Sequence, residues 1–118
     1  MKQRFEIPYK PDSMNTHWRR GNNVTYLRKK GREFRDNVQQ FLKLQKYKTF
    51  KDKIKVKIEL CFKSKRERDI DNYFKAILDS FNGFLYEDDK LIYELSSSKK
   101  LGCDRDYFII EVEELNEF

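Results

Sequence analysis

The sequence predicts a small α/β (α+β) domain, with a mixed sheet and two main helices in the order β-α-β-α-β-β. Two kinds of periodicity predict it. Residues 53–63 alternate apolar and polar side chains as a strand does, whereas two other stretches repeat apolar residues at helical intervals. The length of 118 residues suits one domain covering 1–118.

The first half of the chain supplies a strand and a helix. Residues 4–9 alternate apolar and polar side chains and predict the first strand, which ends before Pro11. Apolar residues then recur at helical spacing from about 26 to 47. This stretch predicts the first helix, although Gly31 weakens its opening turns.

The second half begins with the clearest strand, residues 53–63, in which one face is apolar and the other is polar. A second helix follows from about residue 70, and Asn82 and Gly83 predict its end because glycine adopts the left-handed conformation cheaply. Residues 91–97 and 106–113 predict two more strands. We expect the turn at 102–105 to join them as a hairpin.

The charge is unevenly distributed along the chain. Its net value is +6, but residues 1–60 carry +11 and residues 61–118 carry −5. An even scatter of solubilising charge does not produce this pattern. It predicts a basic binding surface in one half and an acidic site in the other.

Several classes of protein are excluded by composition. No apolar run approaches the roughly 20 residues that a membrane helix needs, and the N-terminus lacks the apolar core of a secretory signal. We therefore expect a cytoplasmic protein with no membrane partner. Cys61 and Cys103 have no metal-ligand spacing, and His17 is the one histidine, so zinc is not expected. Any metal should be held by oxygen.

Two clusters of acids stand out in this basic chain. Asp69 and Asp71 lie where the second helix should begin, and Glu87, Asp88 and Asp89 follow its end. Hard cations such as Mg²⁺ prefer oxygen ligands and usually take one or two carboxylates plus substrate phosphate. The clusters are separated by a helix of about 15 residues, some 22 Å long, so spacing alone does not bring them together.

Each acid also has a simpler interpretation. Asp69 has the character of a helix N-cap, and Asp71 lies four residues before Lys75, where a surface ion pair contributes a few tenths of a kcal/mol. The acids at 87–89 have the character of a solvated loop. From the residues alone, both interpretations stay open.

The ordered motifs nevertheless resemble a known family. Residues 68–79 read Arg-Asp-Ile-Asp-Asn-x-x-Lys-Ala-x-x-Asp, and residues 82–89 read Asn-Gly-x-x-x-Glu-Asp-Asp. The N-terminal loop adds Pro11, Ser13, Asn15, Trp18 and Arg19. This order and spacing resemble the RusA family of Holliday junction resolvases, which are small homodimeric Mg²⁺-dependent endonucleases.

The resemblance implies specific roles for residues of the central segment. It places the catalytic, metal-binding acids on Asp69, Asp71 and Asp89, and the catalytic lysine on Lys75. Asp88 is a neighbour that can share the metal. Many family members have glutamine two places after the last acid, whereas this chain has Leu91, which leaves any polar role at that position in doubt.

The expected DNA-binding residues are basic, with an asparagine and a tryptophan among them. Any one of these cations can be a merely solvated charge, but as a set they favour contact with phosphates. Trp18 is able to stack on unpaired bases at a branch point, although packing is an equal alternative. The set comprises Asn15, Trp18, Arg19, Arg20, Arg28, Lys29, Lys30, Lys65, Arg66 and Arg68.

The leading hypothesis is a structure-selective endonuclease that cuts Holliday junctions by paired incisions in DNA recombination and repair. The resemblance implies Mg²⁺ as cofactor and a homodimer as the active form, with no small-molecule cofactor. Two alternatives are a nucleic-acid-binding module without catalysis and a nuclease for flaps or forks. Cleavage of a labelled junction with Mg²⁺ or EDTA separates these hypotheses.

Overall fold

A computed structural model describes residues 1–13, 18–21, 24–27 and 29–115, with the backbone alone at 18–21 and 24–27. The described elements keep the predicted order of strands and helices, with a two-stranded hairpin added after the first strand. A short 3-10 helix (Asp89–Leu91) precedes the fifth strand. The elements are β1 (Lys2–Ile7), β2 (Trp18–Gly21), β3 (Val24–Leu27), α1 (Lys29–Lys43), β4 (Ile54–Phe62), α2 (Asp71–Phe81), β5 (Ile92–Leu101) and β6 (Tyr107–Glu114).

The main sheet has four strands in the order β1-β6-β4-β5. β4 and β5 are parallel, whereas the other neighbours are antiparallel, which confirms the predicted mixed sheet. Both helices pack on one face of it, since Phe34 of α1 and Phe81 of α2 contact the same ring, Phe108 of β6. In β4, alternate residues from Ile54 to Phe62 are buried, as the alternation predicts.

The predicted hairpin between the last two strands is wrong, because β4 lies between β5 and β6. The burial of each strand explains the order. β6 carries three consecutive buried residues, Phe108, Ile109 and Ile110, which suit a strand covered by neighbours on both sides. β5 is mostly exposed and polar through its centre, which suits the edge of a sheet.

A second, two-stranded sheet was not predicted. β2 and β3 pair antiparallel, with Gly21 opposite Val24, and α1 begins only at Lys29. The helix predicted from about 26 to 47 is therefore too long at both ends, since α1 also ends at Lys43. The sequence signal for the hairpin is the run Gly21-Asn22-Asn23, because glycine and asparagine are common in turns.

The end of α2 determines where the second acid cluster lies. The helix stops at Phe81, and Gly83 adopts a positive φ of 82°, which confirms the predicted stop. The chain then bonds to the segment before β4: the Phe50 N–H donates to the Leu85 carbonyl at 2.8 Å, and the Glu87 N–H to the Phe50 carbonyl at 3.0 Å. These bonds tether the chain just before Asp88.

In the described part of the chain, no helix has the length and apolar character needed to cross a membrane.

Candidate active site and basic cleft

Asp69 and Asp71 lie at the N-terminal end of α2, and both are exposed. The helix begins after Ile70 without a side-chain cap, while the Asp69 backbone carbonyl accepts a bond from the Asn72 N–H at 3.2 Å. The carboxylate of Asp69 is therefore not the N-cap that the simpler interpretation expected.

Lys75 lies one turn further along α2. Its ammonium contacts the Asp79 carboxylate at 3.5 Å, four residues later on the same helix. At that spacing, Asp71, Lys75 and Asp79 share one face of the helix. This face lies beside the second acid cluster.

The second cluster is formed by Asp88 and Asp89 at the start of the 3-10 helix. Asp88 caps that helix by accepting the Lys90 N–H at 3.0 Å, and this bond is the main cause of its lowered pKa. The pKa of Asp89 is raised, first by burial, then by a hydrogen bond with the Asp88 side chain and by the negative charges of Asp88 and Asp79. The Lys75 ammonium opposes this rise, so Asp89 lies within electrostatic reach of both Lys75 and Asp79.

Tyr86 holds this end of α2 in place. Its ring is fully buried, and its O–H donates to the Leu78 carbonyl in the last turns of the helix. Burial raises the Tyr86 pKa well above its ordinary value, and the charges of Asp89 and Asp79 add to the rise. The tyrosine therefore ties the chain leading to Asp89 to the helix that carries Lys75.

The two acid clusters lie at different ends of the parallel strand pair. Asp69 follows the end of β4, whereas Asp89 precedes the start of β5. Among the described residues, no group of three or more His, Cys, Asp and Glu side chains is close enough to hold a metal ion. The structure brings Asp88 and Asp89 together but does not gather Asp69, Asp71 and Asp89 into one site.

A basic cleft opens at the N-terminal end of α2. It consists of two adjoining cavities of about 310 and 200 Å³, which share Ser13, Arg66, Arg68 and Tyr73 on their walls. Asp69 lines the larger cavity. The cations around the two cavities are Lys10, Lys30, Arg66, Arg68 and Lys99.

Arg68 is held in the cleft by aromatic stacking. Its guanidinium lies 4.2 Å from the centre of the Phe62 ring, and Phe62 in turn packs against Tyr73 at 5.1 Å between ring centres. The guanidinium also donates to the Arg66 carbonyl at 3.3 Å. A stacked guanidinium loses less entropy when it binds a phosphate than a mobile one does.

Lys99 of β5 ties the Asp69 loop to the sheet. Its ammonium donates to the Arg68 carbonyl and contacts the Glu67 carboxylate at 3.0 Å. The strand after Asp89 therefore runs back along α2. The residue of this strand that contacts the loop before Asp69 is Lys99.

Two comparisons with known proteins show the family of this chain. A family model described as "Endodeoxyribonuclease RusA" matches residues 8–113. The chain is also 37% identical over 89 residues to the crossover junction endodeoxyribonuclease rusA of Enterobacteria phage HK97, an alignment that covers 73% of each protein. The chain belongs to the RusA family. It is accordingly an endodeoxyribonuclease, and the matched residues include both acid clusters and the cleft.

The basic cleft includes only part of the predicted DNA-binding set. Lys30, Arg66 and Arg68 line it, and Lys29 and Lys65 are exposed outside its two cavities. Trp18, Arg19 and Arg20 belong to β2, for which only the backbone is described, and Asn15 and Arg28 lie outside the described residues.

Sequence reasoning missed Lys10 and Lys99 as members of the basic cleft. Lys10 immediately precedes Pro11 of the family's N-terminal loop, and that position was the available signal. No sequence signal marked Lys99, because its place in the cleft depends on β5 running parallel to β4.

Proposed function

We propose that this RusA-family endodeoxyribonuclease resolves Holliday junctions by paired phosphodiester hydrolysis, as a Mg²⁺-dependent homodimer acting in DNA recombination and repair. The observation that carries the proposal is the basic cleft opening onto Asp69 at the start of α2. A nuclease must hold a polyanion against its carboxylates, and here the two are adjacent.

Binding in this proposal depends on the cations of the cleft. Lysine and arginine contacts to phosphates supply most of the sequence-independent affinity for DNA. Arg68 offers a stacked, planar donor group, and Lys10 and Lys30 extend the positive surface along the second cavity. A strand lying in the cleft would place a phosphate beside Asp69.

The acids fit a hard divalent cation by their chemistry, since all are oxygen donors. By placement, Asp88 and Asp89 form the close pair, as the N-cap and the first residue of the 3-10 helix. Asp69, Asp71, Asp88 and Asp89 are the proposed metal-binding residues, although within one chain they lie at the two ends of α2 and do not form one site. When bound, Mg²⁺ supplies an activated water and neutralises charge on the phosphate.

Lys75 is the proposed catalytic lysine, which supplies a positive charge in addition to that of the metal ion. It extends from the helix face between Asp71 and Asp79, within electrostatic reach of Asp89. A compact ammonium at this point would stabilise negative charge that develops on the phosphate during hydrolysis. Asp79, which contacts the ammonium at 3.5 Å, would position it.

A homodimer follows from the symmetry of the substrate. Paired incisions in a two-fold junction need two equivalent sites, and a two-fold dimer supplies them.

The proposal is tested by incubating the purified protein with a labelled four-way junction, with Mg²⁺ or with EDTA. We expect symmetric nicks in the junction with Mg²⁺, none with EDTA, and little cutting of a linear duplex of the same sequence at the same salt concentration. Binding without nicks under either condition would contradict the proposal and favour a binding module. Preferred cutting of flaps or forks would assign a different branched substrate.

A further inference from the structure

β5 has the features of a strand that pairs with another chain. It forms one edge of the main sheet and is ten residues long. Two of its large apolar side chains are unusually exposed, Tyr93 at 56% and Leu95 at 41%. An exposed strand edge with apolar side chains is a ready template for strand pairing.

We propose that β5 pairs antiparallel with β5 of a second copy, in a register centred on Ser97, so that the two main sheets become continuous. The inference rests on the homodimer in the proposed function and adds the surface that forms it.

Charge complementarity selects the register. In a two-fold antiparallel pair whose axis is perpendicular to the sheet, directly opposed residues lie on the same face, so one residue must face its own copy. With Ser97 at that centre, Glu94 faces Lys100 of the second copy, and this pair occurs twice. Tyr93 then faces Leu101, and no two like charges are directly opposed, an arrangement that stabilises strand pairs.

The opposite edge of the sheet is less suited to this role. β1 has six residues and is followed by Pro8, which has no N–H to donate to a neighbouring strand. Its Glu6 is already engaged with the Arg105 guanidinium at 3.2 Å. On β5, by comparison, Lys100 forms no salt bridge within the described residues, and Glu94 has only a long contact of 4.0 Å with Lys55. Both side chains can therefore pair with a second copy.

The proposed pairing also places the two clefts suitably for one DNA substrate. Lys99, which ties the Asp69 loop to β5, is two residues from the centre of the register. The two copies of Lys99 would lie about 13 Å apart along the strands, since each residue advances a strand by about 3.3 Å. A two-fold axis perpendicular to the sheet keeps both helical layers, and so both clefts, on the same side.

The test is a charge exchange across the proposed interface, measured by sedimentation equilibrium. Glu94→Lys and Lys100→Glu each place like charges opposite one another twice, so each should raise the dimer dissociation constant by about 10-fold or more. The double variant restores both opposite-charge pairs and should return the constant to within about 3-fold of the original. Within one chain these residues are six positions apart on an extended strand, too far to compensate each other.

Glu33→Lys and Lys46→Glu serve as matched controls, because both side chains are exposed and lie outside β5. Neither should change the dimer dissociation constant, and circular dichroism should show the same fold for every variant. Failure of the double variant to recover, or dimerisation unchanged in the single variants, would overturn the proposed interface.

The junction assay keeps this inference separate from the proposed function. If the protein cleaves junctions but its dimer dissociation constant does not change in the Glu94 and Lys100 variants, the interface is refuted and the proposed function is retained. Dimerisation that follows the charge exchange in a protein unable to cut junctions would do the reverse.

Discussion

The two ends of α2 carry the same kind of side chain in opposite electrostatic settings. At the N-terminal end, Asp69 lines a cleft whose walls carry five lysines and arginines and two further acids, Asp12 and Glu67. At the C-terminal end, Asp89 lies near two further acids, Asp79 and Asp88, and its pKa is raised. In the proposed function the first setting would bind a phosphate and the second a divalent cation, and hydrolysis by a metal-dependent nuclease requires both.

The largest expected effect comes from removing an acid at the cleft end. Asp71→Asn should lower single-turnover cleavage of a four-way junction by about 10³-fold, the scale of losing one preorganised electrostatic group. Junction affinity should stay constant or increase, because a negative charge near the DNA is removed. Asp36→Asn, an exposed acid on α1, is the control and should cleave normally. Equal loss of binding and cleavage would mean that Asp71 is structural.

Lys99 tests whether the cleft end depends on its link to the sheet. Lys99→Met removes the contacts to Glu67 and the Arg68 carbonyl, and should lower kcat by about 10- to 100-fold, as loss of a supporting residue typically does. KM should change little, and Lys99→Arg should recover part of the rate. Lys57→Met also removes a strand lysine that contacts a glutamate, and should have no effect. A change in KM alone would make Lys99 a simple DNA contact.

Arg68 tests whether the cleft binds phosphate. Arg68→Met should weaken junction binding uniformly across sequences and reduce the slope of log K against log salt by about 1. Arg105→Met is a close control, because each guanidinium lies 4.2 Å from the centre of an aromatic ring, Phe62 or Tyr107. An unchanged salt slope for Arg68→Met would remove Arg68 from the binding surface.

The smallest effect concerns stability at the other end of α2. Tyr86→Phe deletes the hydrogen bond to the Leu78 carbonyl and should lower the free energy of unfolding by about 1 kcal/mol. Tyr73→Phe, near the start of the helix, retains the ring contact with Phe62 and is the control for a buried tyrosine. Urea denaturation measures both. Equal stability of Tyr86→Phe and the unmodified protein would mean that this bond does not hold the Asp89 segment.

Local patterns in the sequence predicted the parts of the fold that depend on neighbouring residues. The alternation around β4 gave its buried face, and Asn82 and Gly83 gave the end of α2. The motif around Asp69 and Asp71 placed both acids at the start of a helix, as the structure has them.

The parts that depend on strand order were not predictable in this way. β5 and β6 are adjacent in sequence, with a turn signal between them, yet β4 separates them in the sheet. Because Lys99 reaches the Asp69 loop only through that order, no local pattern could identify it. The same order keeps Asp69 and Asp89 at different ends of the strand pair, which the family resemblance alone did not reveal.

We propose that both ends of α2 serve one reaction, and Asp89→Asn tests this claim most directly. Single-turnover cleavage of a four-way junction in Mg²⁺ should be measured beside junction affinity. We predict a loss of about 10³-fold in rate with affinity retained, matching Asp71→Asn. Cleavage at the rate of the unmodified protein would contradict the claim and leave Asp88 and Asp89 as the start of a 3-10 helix and nothing more.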